Sequence, residues 1–294
     1  MMTRRERQNF FKGMAFLAPW IIGFVVFMAV PIGLSFYYSF CDFSLTVPRR
    51  SALWIGLDNY RQLLNDSLFW KSLGNTLYYA AMALPAGMLV SLGLALLLNA
   101  KIRGQNIYRA VIFLPSLVPA IASAMVWLWM YNTEYGLLNY LLAKVHLPPV
   151  AWLGEKEAMP SLALMSVWGV GNTVIIYLAG LQDVPRELLE AAEIDGAGPM
   201  RRLFSVTLPF LTPVIFFNLI MAIIGTFSVF TVPYIMTQGG PNNATYFYSD
   251  FNYDQAFKFL HMGYASAIAW IQLAITLALT GIAFWSAKKW VHYG

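Results

Sequence analysis

The sequence predicts an all-α integral membrane protein with six transmembrane helices. Of its 294 residues, 59% are hydrophobic and 11% are charged, whereas roughly a quarter of the residues in soluble domains are charged. A helix needs about 20 mostly apolar residues to cross the hydrocarbon layer, because its backbone must satisfy its own hydrogen bonds there. Six charge-free stretches meet this length, at 14–40, 73–98, 110–131, 161–181, 211–236 and 265–287.

The first apolar stretch, 14–40, follows Arg4, Arg5, Arg7 and Lys12, as the core of a secretory signal would. A signal core contains about 7 to 15 apolar residues, and this stretch is longer. We therefore expect an uncleaved first helix.

Prolines lie within several of the predicted spans. They are Pro31, Pro85, Pro115, Pro119, Pro213 and Pro233. Each removes a backbone N–H donor and favours a kink in its helix. Helices kinked in this way leave room for a path through the protein.

Basic residues are distributed unequally between the two sides of the predicted bundle. Six spans put both termini on one side, which carries twelve of the nineteen Lys and Arg residues: four in 1–12, three in 101–109, three in 182–210 and two after the last span. The other side carries seven, namely Arg49, Arg50, Arg61, Lys71, Lys144, Lys156 and Lys258. Because basic residues accumulate on the cytoplasmic side, both termini are predicted to be cytoplasmic. The formal charge of +5 then reflects topology and not nucleic-acid binding.

The predicted spans contain no Asp, Glu, Lys, Arg or His. His146, His261 and His292 fall in loops or in the tail, so a proton relay, a metal site or a catalytic triad has no members at membrane depth. Cys41 is the only cysteine, which excludes an intrachain disulfide. No Lys follows a Gly, so the Gly-Lys-Ser/Thr end of a phosphate-binding loop is missing. Uphill transport would need ATP bound by another chain.

The loop 182–210 differs from the other predicted cytoplasmic loops because it is long and contains five acidic residues. Pro185 suits the first turn of a helix, 186–194 contains strong helix formers, and Gly196 can end the helix with a positive φ. Gly198-Pro199 then starts a second helical stretch that leads to Leu208-Pro209. The sequence predicts two short helices at an angle, the first thin enough to fit the groove of a partner.

This loop resembles the EAA signature of ABC importer permeases. Glu190-Ala191-Ala192 is followed after three residues by Gly196 and after nine more by Val206-Thr-Leu-Pro, with Val206 where isoleucine is commoner. In that family the loop is a coupling helix that docks into a cleft of a cytoplasmic ATPase. The resemblance implies that Glu190, Ala191, Ala192, Asp195 and Gly196 form the contact with the ATPase.

Further motifs extend the resemblance over nearly the whole chain. They are Ile55-Gly-Leu-Asp-Asn-Tyr, Gly74-Asn-Thr, Phe113-Leu-Pro, Tyr135-Gly-Leu-Leu-Asn, Thr237-Gln-Gly-Gly-Pro and Gly263-Tyr-Ala-Ser-Ala. Such motifs are similar to sugar and glycerol-phosphate permeases of the maltose-permease type, although the large outer domain of the enterobacterial maltose permease is absent. The resemblance implies a six-span permease domain at 14–287, which contains the coupling loop 182–210, between cytoplasmic tails at 1–13 and 288–294.

The same resemblance implies an assembly in a bacterial cytoplasmic membrane. This chain would pair with a second permease subunit, two ATPase subunits and an extracytoplasmic solute-binding protein. ATP and magnesium would bind to the ATPase subunits, and this chain would carry no cofactor and no catalytic residue.

A neutral sugar would need hydroxyl, amide and aromatic groups within the spans. The sequence offers Ser116, Ser123, Trp168, Asn172, Thr173, Thr226 and Ser228. The positions that match the solute-binding segments of maltose-type permeases are Ser116, Ala120, Gly169, Val170, Thr173, Ala222, Thr226 and Val229. An alternative explanation is that the hydroxyls bond their own helix backbone and the small residues allow close helix packing.

Two alternative functions remain open at the level of the sequence. The same machinery could import glycerol phosphate or its diesters, although a phosphate favours a basic residue near the path and no span carries one. A stand-alone carrier is the other alternative, but it would leave the acidic loop 182–210 without a partner.

Overall fold

A computed structural model of the chain describes residues 3–45, 52–100 and 103–292. Arg49, Arg50 and Lys101 of the charge count lie outside the described residues, as do positions 1–2 and 293–294 of the two predicted tails. The chain forms two compact units, one of Met1–Asp66 with Asn252–Gln272 and one of Ser67–Phe251 with Leu273–Gly294.

The described residues are mostly helical, with one two-stranded antiparallel ribbon. In chain order the elements are α1 (Arg4–Tyr38), β1 (Cys41–Asp42), β2 (Leu53–Trp54), α2 (Asp58–Asn65), α3 (Ser67–Asn99), α4 (Gln105–Leu117), α5 (Ala120–Met130), α6 (Leu137–Lys144), α7 (Ala158–Trp168), α8 (Gly171–Gln182), α9 (Arg186–Ile194), α10 (Pro199–Thr226), α11 (Thr231–Met236), α12 (Tyr248–Tyr253) and α13 (Met262–Trp290).

Four helices are long and apolar enough to cross a membrane, namely α1, α3, α10 and α13. Two bent pairs pass the same test when each pair is taken together: α4 with α5, which are bent by 97°, and α7 with α8, which are bent by 50°. The described residues therefore supply four candidate spans, or up to six if each bent pair is one span.

Helix α1 begins earlier than the predicted span 14–40, at Arg4. Thr3 and Glu6 form a capping box, in which the Thr3 N–H donates to the Glu6 carboxylate at 2.7 Å and the Glu6 N–H donates to Thr3 Oγ1 at 3.3 Å. This box satisfies backbone donors of the first turn, so the basic segment before the apolar run is helical. A wide helical turn at Val25–Ala29 precedes Pro31, which has no backbone N–H to donate to the preceding turn of the helix.

Three of the predicted spans are interrupted in the structure. The stretch 110–131 breaks at Val118 and Pro119, because proline cannot donate to the ladder and holds the preceding residue extended. The stretch 161–181 breaks at Gly169 and Val170, and the stretch 211–236 breaks after Thr226. Pro85 and Pro213, in contrast, lie inside helices that continue past them.

The first unit is held together by polar contacts around the ribbon. The Asn59 amide donates to the carbonyls of Ser39 at 2.9 Å and Cys41 at 3.0 Å, and the Tyr60 hydroxyl donates to Ser39 Oγ at 2.7 Å. Asn59 is almost fully buried. The motif Ile55-Gly-Leu-Asp-Asn-Tyr therefore anchors the segment that follows α1.

The first turn of α13 lies against the same segment. The Gly263 N–H donates to the Phe43 carbonyl at 2.9 Å, and a Cβ on Gly263 would overlap the Cys41 carbonyl oxygen. Only glycine allows this approach of two backbones. The contact explains the glycine of the Gly263-Tyr-Ala-Ser-Ala motif.

The second unit is built around α3, which packs against α7, α8 and α10, while α8 also packs against α10. Near one end of this unit, the Asn75 amide donates to the carbonyls of Asn243 at 2.7 Å and Tyr246 at 3.0 Å. Asn139 accepts from the Trp152 indole at 3.0 Å and donates to the Val150 carbonyl at 2.9 Å. Buried amides thus hold the connecting segments in place.

We expect Gly263→Ala to lower the free energy of unfolding by about 1–3 kcal/mol, the usual cost of inserting a methyl group into a filled site. The measurement is thermal unfolding of the purified protein in detergent. Gly281→Ala, on the same helix, is the matched control, because a Cβ there meets no atom within 4 Å. Equal melting temperatures for the two variants would contradict the close approach at Gly263.

Candidate functional site

Helix α9 ends in a backbone geometry that its sequence dictates. Gly196 has a φ of +76°, its N–H donates to the Glu193 carbonyl at 3.0 Å, and the Ala197 N–H donates to the Ala192 carbonyl at 2.9 Å. These two bonds form a Schellman motif, which requires a left-handed residue at the position of Gly196. The prediction of a helix at 186–194 that stops at Gly196 is confirmed.

Most of α9 lies on the surface of the described chain. Glu190, Ala191, Asp195 and Gly196 are exposed, and Ala192 is partly buried. Exposed apolar side chains accompany them, since Ile194 is 87% exposed and Leu188 is 48% exposed. Large exposed apolar side chains beside acidic ones are suited to a protein partner.

The second short helix predicted in this loop is the beginning of α10. Helix α10 starts at Pro199 and continues to Thr226, with a wide turn at Leu203–Thr207 just before Pro209. Pro209 has no backbone N–H, and this turn accommodates the helix hydrogen bond that is lost as a result. Arg202 Nη1 of α10 lies 2.6 Å from Glu193 Oε2 of α9, so an ion pair connects the surface helix to the long helix.

A first cavity of about 380 Å³ lies within the second unit. Three helix interruptions border it, at Val118, at Gly169 and at Ser228–Phe230. The cavity brings together five residues that the sequence predicted for the solute path, namely Ser116, Ala120, Trp168, Gly169 and Val229. It also includes two of the predicted hydroxyl residues, Ser123 and Ser228.

A second cavity, of about 420 Å³, borders α3, α7, α8 and α10. It brings together the other predicted positions except one: Val170, Thr173, Ala222 and Thr226, with Val229 again. The exception is Asn172, which is exposed and lines neither cavity. Asn172 follows Gly171 in the first turn of α8, and its neighbours Gly171 and Val174 are the buried residues of that turn.

Tyr79 and Ser166 line both cavities, although neither was predicted from the sequence. Ser166 Oγ donates to the Ala163 carbonyl of its own helix at 2.7 Å. Tyr79 is buried within α3. A tyrosine inside a predicted span was a signal that could have found it, because tyrosines concentrate at interfaces. Ser166 precedes Trp168 by two residues on α7.

Several cavity hydroxyls donate to their own helix. Ser116 Oγ donates to the Phe113 carbonyl at 2.7 Å, and Thr226 Oγ1 donates to the Ala222 carbonyl at 2.9 Å. These hydroxyl protons therefore bond the helix backbone, as the alternative explanation expects. The oxygen lone pairs can still accept a hydrogen bond from a solute. Among the described residues, the Trp168 indole N–H has no hydrogen-bond partner.

The close helix approach in this region falls at Gly171 and not at Gly169. A Cβ on Gly171 would lie 2.9 Å from the Ile112 carbonyl oxygen and 3.0 Å from Ser116 Oγ, whereas one on Gly169 would meet only its own helix at 3.8 Å. Gly171 therefore brings the start of α8 against α4, beside the first cavity.

Comparisons with known proteins agree with this architecture. The chain is 39% identical to the probable ABC transporter permease protein YesP of Bacillus subtilis, over 99% of this chain and 95% of that protein. It is 34% identical to the trehalose/maltose transport system permease protein MalF of Thermococcus litoralis, over 91% of this chain and 90% of that protein.

A solved structure shares the fold. A chain in the crystal structure of a bacterial alginate ABC transporter, in complex with an alginate pentasaccharide-bound periplasmic protein, superposes with a TM-score of 0.84. The alignment covers 99% of this chain and 98% of that chain at 20% identity.

The family description of binding-protein-dependent transport system inner membrane components matches residues 83–292, which include most of both cavities and the surface helix α9. This match and the two close relatives confirm the resemblance to importer permeases. The chain therefore belongs to the family of binding-protein-dependent transport system inner membrane components.

Proposed function

We propose that this chain is a permease subunit of an ABC importer and forms half of the pathway for a sugar or oligosaccharide. The observation that carries the proposal is the single helix α10. Its first turn is ion-paired to the exposed helix α9 through Arg202, and Ala222 and Thr226 near its other end line the second cavity. A displacement of α9 can therefore reach the cavity through one continuous helix.

The proposed topology has six spans, in which each bent helix pair counts as one, and both termini in the cytoplasm of a bacterium. The unequal distribution of basic residues supports this orientation. The permease domain would comprise 14–287, with short tails on either side. The loop 182–210 then lies in the cytoplasm, where an ATPase can reach it.

The proposed partners are a second permease subunit, two ATPase subunits and an extracytoplasmic solute-binding protein. The family description names dependence on a binding protein, and the alginate transporter was solved with its periplasmic protein. In this assembly the ATPase subunits bind ATP and magnesium, and this chain carries no cofactor. Glu190, Ala191, Ala192, Asp195 and Gly196 would form the contact with one ATPase.

The lining of both cavities supports a neutral, hydroxyl-rich solute. Hydroxyls, small apolar residues and the aromatic residues Tyr79, Trp168, Phe217 and Phe230 border the two cavities. Aromatic faces and hydroxyls suit sugars, whereas a phosphate at such a site would remain uncompensated. The relative from Thermococcus litoralis is named for trehalose and maltose transport, which agrees with a sugar.

In the proposed mechanism, closure of the ATPase subunits on ATP moves α9. The Schellman motif at Gly196 and the Glu193–Arg202 pair make α9 and the beginning of α10 move together. Helix α10 then shifts Ala222 and Thr226 against α3 and α8 and changes access to the second cavity. The interruptions at Val118, Gly169 and Phe230 provide points at which neighbouring helices can adjust.

The proposal is tested by purification of the tagged chain from its native membrane in mild detergent. We expect an ATPase and a second permease to accompany it, and ATP hydrolysis to rise when a binding protein loaded with its sugar is added. Glycerol phosphate serves as the competing solute in the same assay. A chain that is intact and folded but accompanied by no ATPase would refute the importer, and stimulation by glycerol phosphate alone would refute the sugar.

Gly196→Ala is expected to reduce solute uptake per ATP hydrolysed by about fivefold or more. An L-residue in the left-handed conformation costs roughly 1–2 kcal/mol, and a Cβ at this position meets no atom within 4 Å, so the cost arises from the backbone. Uptake and ATP hydrolysis are measured together in proteoliposomes.

Gly198→Ala is the matched control for the coupling variant. A Cβ on Gly198 would also meet no atom within 4 Å, but the φ of Gly198 is −64°, which any residue can adopt. Coupling should remain normal in this variant. Equal coupling ratios for the two substitutions would argue against a role for the helix end at Gly196.

Tyr79→Phe is expected to raise the KM for solute uptake roughly two- to tenfold, the effect of losing one neutral hydrogen bond. Tyr79 borders both cavities, whereas Tyr78 is 54% exposed and lines neither. Tyr78→Phe therefore provides the control with the same chemical change. If both variants keep the KM of the unmodified protein, the cavities are not the solute path.

A further inference from the structure

A third cavity lies at the end of the second unit that also carries α9. It has a volume of about 270 Å³ and is formed by α3, α4 and α8. Its lining is apolar except for two residues, Arg109 and Gln182. Leu98, Ile112, Phe113, Val174, Ile175 and Leu178 supply most of the apolar surface.

Arg109 is not paired within the described part of the chain. Its Nε atom is shielded from water and has no hydrogen-bond partner, and its guanidinium makes no ion pair with a described acidic residue. The Gln182 side chain makes no hydrogen bond with the described residues either. A guanidinium charge without an ion partner in apolar surroundings is costly, so an anion from outside the chain that binds the other N–H groups of Arg109 would stabilise this site.

We propose that this cavity binds an anionic phospholipid of the inner leaflet, with its phosphate on Arg109 and Gln182 and an acyl chain along Ile112, Val174 and Leu178. The site is amphipathic, as a lipid is, because a guanidinium and an amide adjoin an apolar wall. Guanidinium groups bind phosphate oxygens with two parallel hydrogen bonds. Basic pockets between membrane helices on the cytoplasmic side bind lipid headgroups in this way.

The surroundings of the cavity favour a lipid over a small soluble anion. Ile107 and Val111 of α4 are more than 60% exposed, and Ile175 of α8 is 47% exposed, so the apolar wall continues onto an apolar surface. A free phosphate would use Arg109 but would leave this wall uncovered. The depth assigned to the lipid rests on the proposed topology, in which this end of the unit lies at the cytoplasmic leaflet.

The test compares the lipid retained by three forms of the purified complex: unmodified, Arg109→Gln and Arg103→Gln. Arg103 lies in the same basic segment, is exposed and does not line the cavity. Phosphatidylglycerol per chain is measured by mass spectrometry after purification from membranes that contain phosphatidylglycerol and phosphatidylethanolamine. Arg109→Gln should lower the bound phosphatidylglycerol roughly tenfold, the effect of removing a donor to a charged group, and Arg103→Gln should leave it unchanged.

Further arms distinguish the lipid from other anions and from misfolding. Arg109→Lys keeps the charge and should retain most of the lipid, and inorganic phosphate should not displace it. The proposal is overturned if Arg109→Gln retains as much phosphatidylglycerol as the unmodified complex, or if inorganic phosphate releases the lipid. It is also overturned if Arg109→Gln loses the second permease at unchanged lipid content, because a protein acid would then be the partner of Arg109.

The lipid readout is independent of transport. A purified chain without ATPase that still binds phosphatidylglycerol through Arg109 would refute the importer and keep the lipid site. An active importer whose lipid content is unaltered by Arg109→Gln would support the importer and refute the lipid site.

Discussion

The architecture depends on one constraint, which is that backbone N–H and C=O groups in an apolar environment must find partners. Helices meet this constraint everywhere except at their interruptions. In this chain the interruptions at Val118, Gly169 and Phe230 border the same cavity. Irregular backbone is tolerated at membrane depth where it is buried in protein or lines a cavity, so the position of the cavity and the positions of the breaks have a common physical cause.

The same constraint bears on the continuity of α10, on which the proposed transmission of movement depends. Pro209 and Pro213 both remove donors from its ladder, yet the helix continues from Pro199 to Thr226. The wide turn at Leu203–Thr207 accommodates the missing N–H of Pro209 without ending the helix. A helix that remained continuous could carry a displacement over its length, whereas a break at Pro209 would have separated the surface helix from the cavity.

Local features of the fold could be predicted from the sequence, and long-range ones could not. The start of α9 depends on Pro185 and its end on Gly196, whose backbone preferences act within a few residues, and the prediction of this helix was accurate. The bend of 97° between α4 and α5 depends on a proline whose effect varies with context, since Pro85 lies in a continuous helix. The presence of a proline alone therefore did not show whether the helix would break or would continue past it.

The candidate site shows the same division. Nine of the ten path residues predicted from three sequence segments line the cavities, because the resemblance to maltose-type permeases had already assigned those segments to one path. Tyr79 was missed because its place at both cavities arises from the packing of α3 against α7. Asn172 was included because it is polar within a predicted span, but the turn after Gly171 leaves it exposed. Residue type indicated what could bind a solute, and only packing indicated which of those residues border a cavity.

Polar side chains away from the surface differ in what satisfies them. Asn59, Asn75 and Asn139 donate to backbone carbonyls of other segments, so their hydrogen bonds contribute to the fold itself. Arg109 has no hydrogen-bond or ion-pair partner in the described chain, and it borders a cavity. Since an unsatisfied buried donor is costly in an apolar environment, its persistence beside a cavity is best explained by a molecule that binds there. The asparagines thus explain how the connecting segments are held, and the unpaired guanidinium of Arg109 supports the proposed lipid site.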